Sequence, residues 1–138
     1  AHVSMLGAQG KLVDDGKSGI RFGTKIYNDG DEILEKGTLI LPVSFLEEGE
    51  GLTLDTPKVA KSVGKVNYEV NKDENYVTYF GTIINIPEAQ FHRQMTAASY
   101  VIYKDKTGNT YTVYSQYPNG STSVYDLLGN NVDWNENW

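Results

Sequence analysis

The stretch AASYVIYKDKTGNTYTVYSQ, residues 97–116, predicts a β-hairpin and holds four of the ten tyrosines of the chain. Its centre, DKTGN at 105–109, suits a type I turn followed by Gly108 in the left-handed conformation, a common three-residue hairpin connection. Whether the four tyrosines form a core or a surface for a flat ligand decides most of what the sequence says about function.

The two faces of this hairpin carry different residues. One face holds the cross-strand pairs Val101–Val113, Tyr103–Tyr111 and Ser99–Ser115. We assign that face to the core because it carries both valines. The other face sets Tyr100 opposite Tyr114, bordered by the amide of Gln116, and we expect this face to be exposed. A slip of one residue in register would exchange the two faces.

Further strands are predicted on both sides of the hairpin, at 19–27, 37–45, 52–56, 76–87 and 122–128. The strand at 37–45 is apolar throughout, so we expect it to be covered on both faces, with Pro42 ending it or marking an edge. One stretch, DTPKVAKSVGKV at 55–66, predicts a short helix with Thr56 as its N-cap. The pattern predicts an all-β fold, an antiparallel, jelly-roll-like β-sandwich with one short helix. It fits a single domain over 1–138, with 129–138 as a candidate linker.

Charge and composition limit the partners. The net charge of −6 repels duplex nucleic acid and anionic membranes, so we expect neither as a partner. There is no cysteine, and no apolar run approaches the roughly 20 residues of a membrane helix. The first ten residues lack the pattern of a signal peptide, and the chain does not begin with Met. We expect a monomeric module taken from a longer chain.

Tyrosines beside amides suit a ligand with flat C–H faces and many hydroxyls, such as a pyranose chain. Arg21 and Tyr27 alternate with the apolar side chains of their strand, and Asn28 follows it. The candidate binding residues are Tyr100, Tyr114, Gln116, Arg21, Tyr27, Asn28 and Trp134. Cross-strand tyrosine packing, with no ligand, is the alternative.

Five segments carry a resemblance to a known family: GIRFGTKI (19–26), GTLILP (37–42), LTLDT (52–56), INIPEAQFHRQMTAASYVIY (84–103) and TSVYDLL (122–128). In this order they resemble carbohydrate-binding module family 86, xylan-binding modules of multimodular xylanases from gut Firmicutes. The resemblance implies a β-sandwich outside the cell or at its surface, without catalysis, that binds β-1,4-xylan along one sheet.

The chain departs from this family at two positions. Relatives often carry arginine where this chain has Ala98 and Thr122. A small residue at Ala98 would clear space above the tyrosine face and favour a groove there. Arg93 matches the family motif; it either binds ligand or has a structural role, such as pairing with Glu88.

Other functions find less support in the sequence. Nearly all carboxylates fall in turns and loops, and no strand offers the facing pair that a glycosidase needs, so we expect no enzyme. No cofactor is expected; the one alternative is calcium at NDGDE (28–32), which lacks EF-hand spacing. An extracellular adhesion or spacer domain that binds protein is the alternative function, and an exposed aliphatic patch would favour it.

Overall fold

A computed structural model describes residues 1–11, 18–47 and 49–127 of the chain. Within these ranges the chain forms eight β-strands: β1 (His2–Lys11), β2 (Ser18–Tyr27), β3 (Glu32–Pro42), β4 (Ala60–Val63), β5 (Glu69–Asn71), β6 (Tyr76–Ile86), β7 (Met95–Lys104) and β8 (Thr110–Gln116). The helices found in the described ranges are two single turns of 3-10 helix, Val43–Phe45 and Glu88–Gln90. Neither is long and apolar enough to cross a membrane.

The strands form two antiparallel sheets of four strands each. Sheet I has the order β1-β2-β6-β5, and sheet II has the order β4-β3-β7-β8. The predicted all-β antiparallel sandwich is therefore confirmed.

Side chains that point inward from both sheets form the main core. Phe22 of β2 packs in one apolar cluster with Ile40 and Ala97 of sheet II. The hydroxyls of Thr24 and Ser99, both fully buried, lie 2.5 Å apart and join the two sheets. The predicted alternation along β2 is confirmed, since its four inward residues are all buried: Ile20, Phe22, Thr24 and Ile26.

The hairpin of β7 and β8 has the predicted register. Every predicted cross-strand pair is present: Ala98–Gln116, Ser99–Ser115, Tyr100–Tyr114, Val101–Val113, Ile102–Thr112 and Tyr103–Tyr111. Gly108 is left-handed, with φ of 90°. The Asp105 carboxylate accepts hydrogen bonds from the backbone N–H groups of Thr107 (2.9 Å) and Asn109 (3.0 Å). These bonds stabilise the turn, and the geometry of the turn determines the register of the two strands.

The valine face of the hairpin faces sheet I, as predicted, but Tyr111, which was assigned to the core with it, is 45% exposed. Val101 is fully buried and clusters with Ile26 and Tyr79 of sheet I. The two serines bond to sheet I rather than to each other: Ser99 to Thr24, and Ser115, whose Oγ accepts from the N–H of Met5 at 3.1 Å.

A second apolar layer lies on the outer face of sheet II. Residues 46–47 and 49–59, which we name the covering segment, run across this face. Its apolar residues are Leu46, Leu52, Leu54 and Val59, and they pack on Leu39, Leu41, Ala98 and Tyr100. The expectation that the strand at 37–45 is covered on both faces is confirmed over residues 38–41, because Leu39 and Leu41 point outward while Thr38 and Ile40 point inward.

Several predicted elements are wrong. The predicted helix at 55–66 is instead turns followed by β4. Thr56 is not an N-cap, because its Oγ1 accepts from the N–H of Thr53, which precedes it in sequence, at 2.9 Å. Lys58 is left-handed, with φ of 65°, and this conformation does not occur within a right-handed α-helix. The predicted strand at 52–56 belongs to the covering segment, and the one at 122–128 reduces to a single bridge, Met95–Thr122, in its described part. β1 and β5 were not predicted.

Candidate functional site

Tyr100, the centre of the predicted binding face, is fully buried. Its hydroxyl donates to the Glu35 carboxylate at 2.7 Å, and this bond lowers the pKa of Glu35. Burial, more than this bond, raises the pKa of Tyr100. The expectation that the Tyr100 ring is exposed for stacking on a sugar is therefore wrong, because the covering segment lies on this face.

Tyr114 and Gln116 bind the covering segment. The Gln116 amide accepts from the N–H of Leu52 and donates to the carbonyl of Leu52, both at 3.0 Å. The Tyr114 hydroxyl accepts from the N–H of Leu54 at 3.2 Å. The groove expected above Ala98 is not there, since Ala98 is fully buried in the cluster that contains Leu52. The polar groups of Gln116 and Tyr114, which were expected to face a ligand, instead bond to the backbone of the covering segment.

Arg21 and Tyr27 lie on the outer face of sheet I. Arg21 points away from the core, as expected, but its face and that of Tyr100 belong to different sheets. Asn28 ends this face: its Oδ1 accepts from the N–H of Gly30 at 3.0 Å and stabilises the turn after β2. Trp134 lies outside the described residues. The structure therefore places Arg21 and Tyr27 on one sheet, with Asn28 in the turn that follows, and separates all three from the tyrosine pair of sheet II.

An aromatic cluster not predicted from the sequence lies beside Arg21. We name it the Tyr68 surface; it consists of Leu6, Gln9, Arg21, Tyr68 and Phe80. The Tyr68 side chain is 73% exposed, and its ring meets the Phe80 ring with centroids 5.0 Å apart at 66°. The Arg21 guanidinium carbon lies 4.2 Å from the Phe80 centroid, and its Nε donates to Gln9 Oε1 at 2.5 Å. The Tyr68 surface is therefore an exposed tyrosine ring that packs on Phe80, and Phe80 in turn packs against Arg21.

A groove lies on each side of the Tyr68 ring. One, of about 360 Å³, passes between the ring and β1, along Leu6, Gln9 and Arg21. The other, of about 500 Å³, passes between the ring and residues 62–67, which comprise the end of β4 and the loop after it, along Thr82 and Ile84. Grooves beside an exposed ring allow a chain-like ligand to lie along the sheet with one face on the ring.

A second aromatic cluster occupies the other end of the same outer face. The Tyr27 ring stacks on His2 at 4.7 Å and meets the edge of Tyr76 at 5.5 Å. Lys25 Nζ lies 3.9 Å from the Tyr76 centroid, and its hydrogen bond with Tyr27 is the main cause that raises the pKa of Lys25. Four residue steps of β6 separate Phe80 from Tyr76, so at about 3.3 Å per residue the two aromatic clusters lie roughly 13 Å apart.

A simple signal in the sequence would have found this face. In β6 the residues pair with β2 so that Phe80 lies beside Gly23 and Tyr76 beside Tyr27. The alternation in the strand 76–87 separates Tyr76, Thr78, Phe80 and Thr82 from the side chains that turn inward. Tyr68 has no such signal, because it precedes a strand of three residues, β5.

The acidic turn considered for calcium makes a different contact. Asp29 Oδ2 lies 2.6 Å from His2 Nδ1, and this hydrogen bond is the main cause that lowers the pKa of Asp29. Within the described residues no group of three or more His, Cys, Asp or Glu side chains is arranged to hold a metal.

Comparisons with known proteins identify no relative. No protein-family profile matches the chain, no curated protein matches it, and no solved structure matches it. The resemblance to carbohydrate-binding module family 86 and the absence of catalysis remain predictions.

Proposed function

We propose that the protein is a noncatalytic carbohydrate-binding module that binds β-1,4-xylan on the outer face of sheet I. The observation that supports this most is the Tyr68 ring, 73% exposed and backed by Phe80 and Arg21. An aromatic ring held by its neighbours loses little conformational freedom when a sugar stacks on it.

The rest of the face supplies the chemistry that a xylan chain requires. Sugar C–H faces stack on rings, and sugar hydroxyls accept from amide and guanidinium groups such as those of Gln9 and Arg21. The Tyr27–Tyr76 cluster, roughly 13 Å away, offers a second stacking point for an extended oligosaccharide. Several weak contacts of this kind give an affinity in the micromolar range.

Such a module acts by proximity. Attached to a glycoside hydrolase outside the cell or at its surface, it would raise the effective concentration of the enzyme at its substrate. This role requires a monomeric module within a larger chain.

The test is affinity electrophoresis through gels that contain xylan, glucomannan or no polysaccharide. Xylan should retard the wild type, and Tyr68→Ala should weaken retention about tenfold, which corresponds to about 1.4 kcal/mol. Tyr111→Ala is the matched control, because Tyr111 is an exposed tyrosine, 45% accessible, on sheet II. Equal loss in both variants, or no retardation of the wild type, would overturn the proposal.

One observation favours the alternative of an adhesion or spacer domain that binds protein. Val66 (69% exposed) and Ile84 (57% exposed) line the groove beside Tyr68 and add aliphatic surface to it. Wild type that xylan does not retard would favour this alternative.

A further inference from the structure

A crevice opens between the two sheets at the end where β3 and β6 stop. Both strands meet a proline there, Pro42 at the end of β3 and Pro87 just after β6, and proline cannot continue the ladder. The crevice has a volume of about 250 Å³. We name it the end crevice; it shares no residue with the Tyr68 surface, although Ile84 lines both the end crevice and the groove of about 500 Å³ beside Tyr68.

The walls of the end crevice are aliphatic. They are formed mainly by Ile20, Ile40, Ile83, Ile86, Met95 and Val124, and no aromatic ring is among the described residues that line it. A cavity of about 150 Å³ with apolar walls is large enough for benzene, so this space suffices for a short aliphatic chain.

The mouth of the end crevice carries two cations. Lys58 and Arg93 both line it. Lys58 Nζ lies 5.0 Å from the centroid of the Phe45 ring, and Arg93 Cζ lies 5.5 Å from it. Among the described residues, neither cation has a carboxylate within ion-pair distance, so the expected pairing of Arg93 with Glu88 is not found. In a chain of net charge −6, two neighbouring cations at one opening are a specific local feature.

The backbone at the mouth is unusual as well. Lys58 and Asn85, which both line the crevice, are left-handed, with φ of 65° and 60°. Asparagine adopts this conformation fairly readily, whereas for lysine it is uncommon, so the strained residue at the mouth is Lys58.

We propose that the end crevice binds a small amphiphilic carboxylate. Its short aliphatic chain lies between the sheets, and its carboxylate faces Lys58 and Arg93. The aliphatic walls favour a chain over a ring, and the two cations favour an anionic head over a neutral or cationic one.

The first test is an NMR titration of the whole chain with octanoate below its micelle concentration, with octylammonium as the control ligand. Octanoate should give saturable shifts concentrated at amides around the crevice, such as those of Ile40, Ile83 and Met95. Octylammonium should not saturate. No saturable octanoate binding, equal binding of octylammonium, or shifts scattered over the protein would each overturn the proposal.

The second test removes the cations. The double variant Lys58→Gln/Arg93→Gln should bind octanoate at least about tenfold more weakly, since hydrogen bonds to charged groups contribute strongly. Lys72→Gln/Lys106→Gln makes the same change in net charge at exposed positions elsewhere and should keep wild-type affinity. Unchanged affinity in the first double variant contradicts the assigned head-group site.

A third variant tests the crevice itself. Ala60 is exposed and lines the crevice, so Ala60→Phe should occupy part of the opening and abolish octanoate binding without disturbing the core. Full octanoate binding by Ala60→Phe would place the ligand elsewhere and overturn the proposal. Retention on xylan gels should be unchanged in all these variants, so this proposal and the glycan proposal fail independently.

Discussion

The outer faces of the two sheets both carry aromatic pairs, yet one is open and the other is closed. On sheet I, Tyr68 packs on Phe80 and is 73% exposed. On sheet II, Tyr100 stands opposite Tyr114 and is fully buried beneath the covering segment. The density of aromatic residues on a strand therefore does not decide whether they are available to a ligand.

The side chains next to the aromatic residues explain the difference. On sheet II the outer face also carries Leu39 and Leu41. Exposure of these side chains to water is unfavourable, so they pack against the leucines of the covering segment. On sheet I the outer face carries Arg21 and Lys25, whose charged groups lie over the aromatic rings of Phe80 and Tyr76. An aromatic face flanked by leucines is typical of a core, whereas one flanked by charged groups is typical of a surface.

The largest expected effect is the difference in stability lost when a leucine is replaced on each of the two outer faces. Leu52→Ala in the covering segment should lower the free energy of unfolding by about 2–5 kcal/mol, because Leu52 is fully buried and leaves a cavity. Leu6→Ala on the outer face of sheet I should change it by about 0.5 kcal/mol or less, because Leu6 is 59% exposed. Urea unfolding measures both. Similar losses in the two variants would mean that the faces are not open and closed as described.

Two glycines of sheet I allow the packing of its inner and outer faces to be compared. A Cβ at Gly81 would lie 2.2 Å from the Thr38 side chain across the core, so Gly81→Ala should cost about 1–3 kcal/mol. A Cβ at Gly23 would lie 3.4 Å from the Phe80 ring, an ordinary contact, so Gly23→Ala should cost much less. Thermal unfolding compares the two. A Gly23→Ala variant as unstable as Gly81→Ala would contradict an open outer face.

The smallest expected effect concerns pH and the closed face. The bond from Tyr100 lowers the pKa of Glu35, so its contribution is present above the ordinary value of about 4.3 and is lost as pH falls through the folded pKa. The pKa of Tyr100 is raised, so its contribution is present below about pH 10 and is lost as pH rises through the folded pKa.

Tyr100→Phe should therefore make the free energy of unfolding less dependent on pH at both ends, as measured by urea unfolding from about pH 3 to about pH 11. Tyr114→Phe, which leaves the bond between Tyr100 and Glu35 intact, serves as the control and should keep the wild-type dependence. Parallel curves for wild type and Tyr100→Phe would contradict the account of this pair.

The sequence predicts local structure here better than it predicts which faces are covered. The Asp105–Asn109 turn determines the hairpin register through short-range bonds, and the alternation of β2 determines its faces, so both could be predicted. The strand at 37–45 was expected to be covered on both faces. However, its pairing with β7, which places Tyr100 under the same cover, depends on contacts far apart in sequence.

The covering segment shows why the helix predicted at 55–66 was wrong. Its Thr56 fits the N-cap of a helix, but the left-handed Lys58 and the bonds between Gln116 and Leu52 hold residues 52–59 as turns against sheet II. Tertiary packing here overrides local propensity. The same segment occupies the space that Ala98 was expected to leave for a ligand.

The central claim is that a glycan binds the outer face of sheet I and not the tyrosine face of sheet II. The most direct measurement is an NMR titration of the wild type with xylohexaose, followed through the backbone amides. We predict saturable shifts at Arg21, Gly23, Tyr68 and Phe80, with little change at Ala98, Tyr100 and Gln116. Shifts confined to Ala98, Tyr100, Gln116 and the covering segment, or no shifts at all, would contradict the claim.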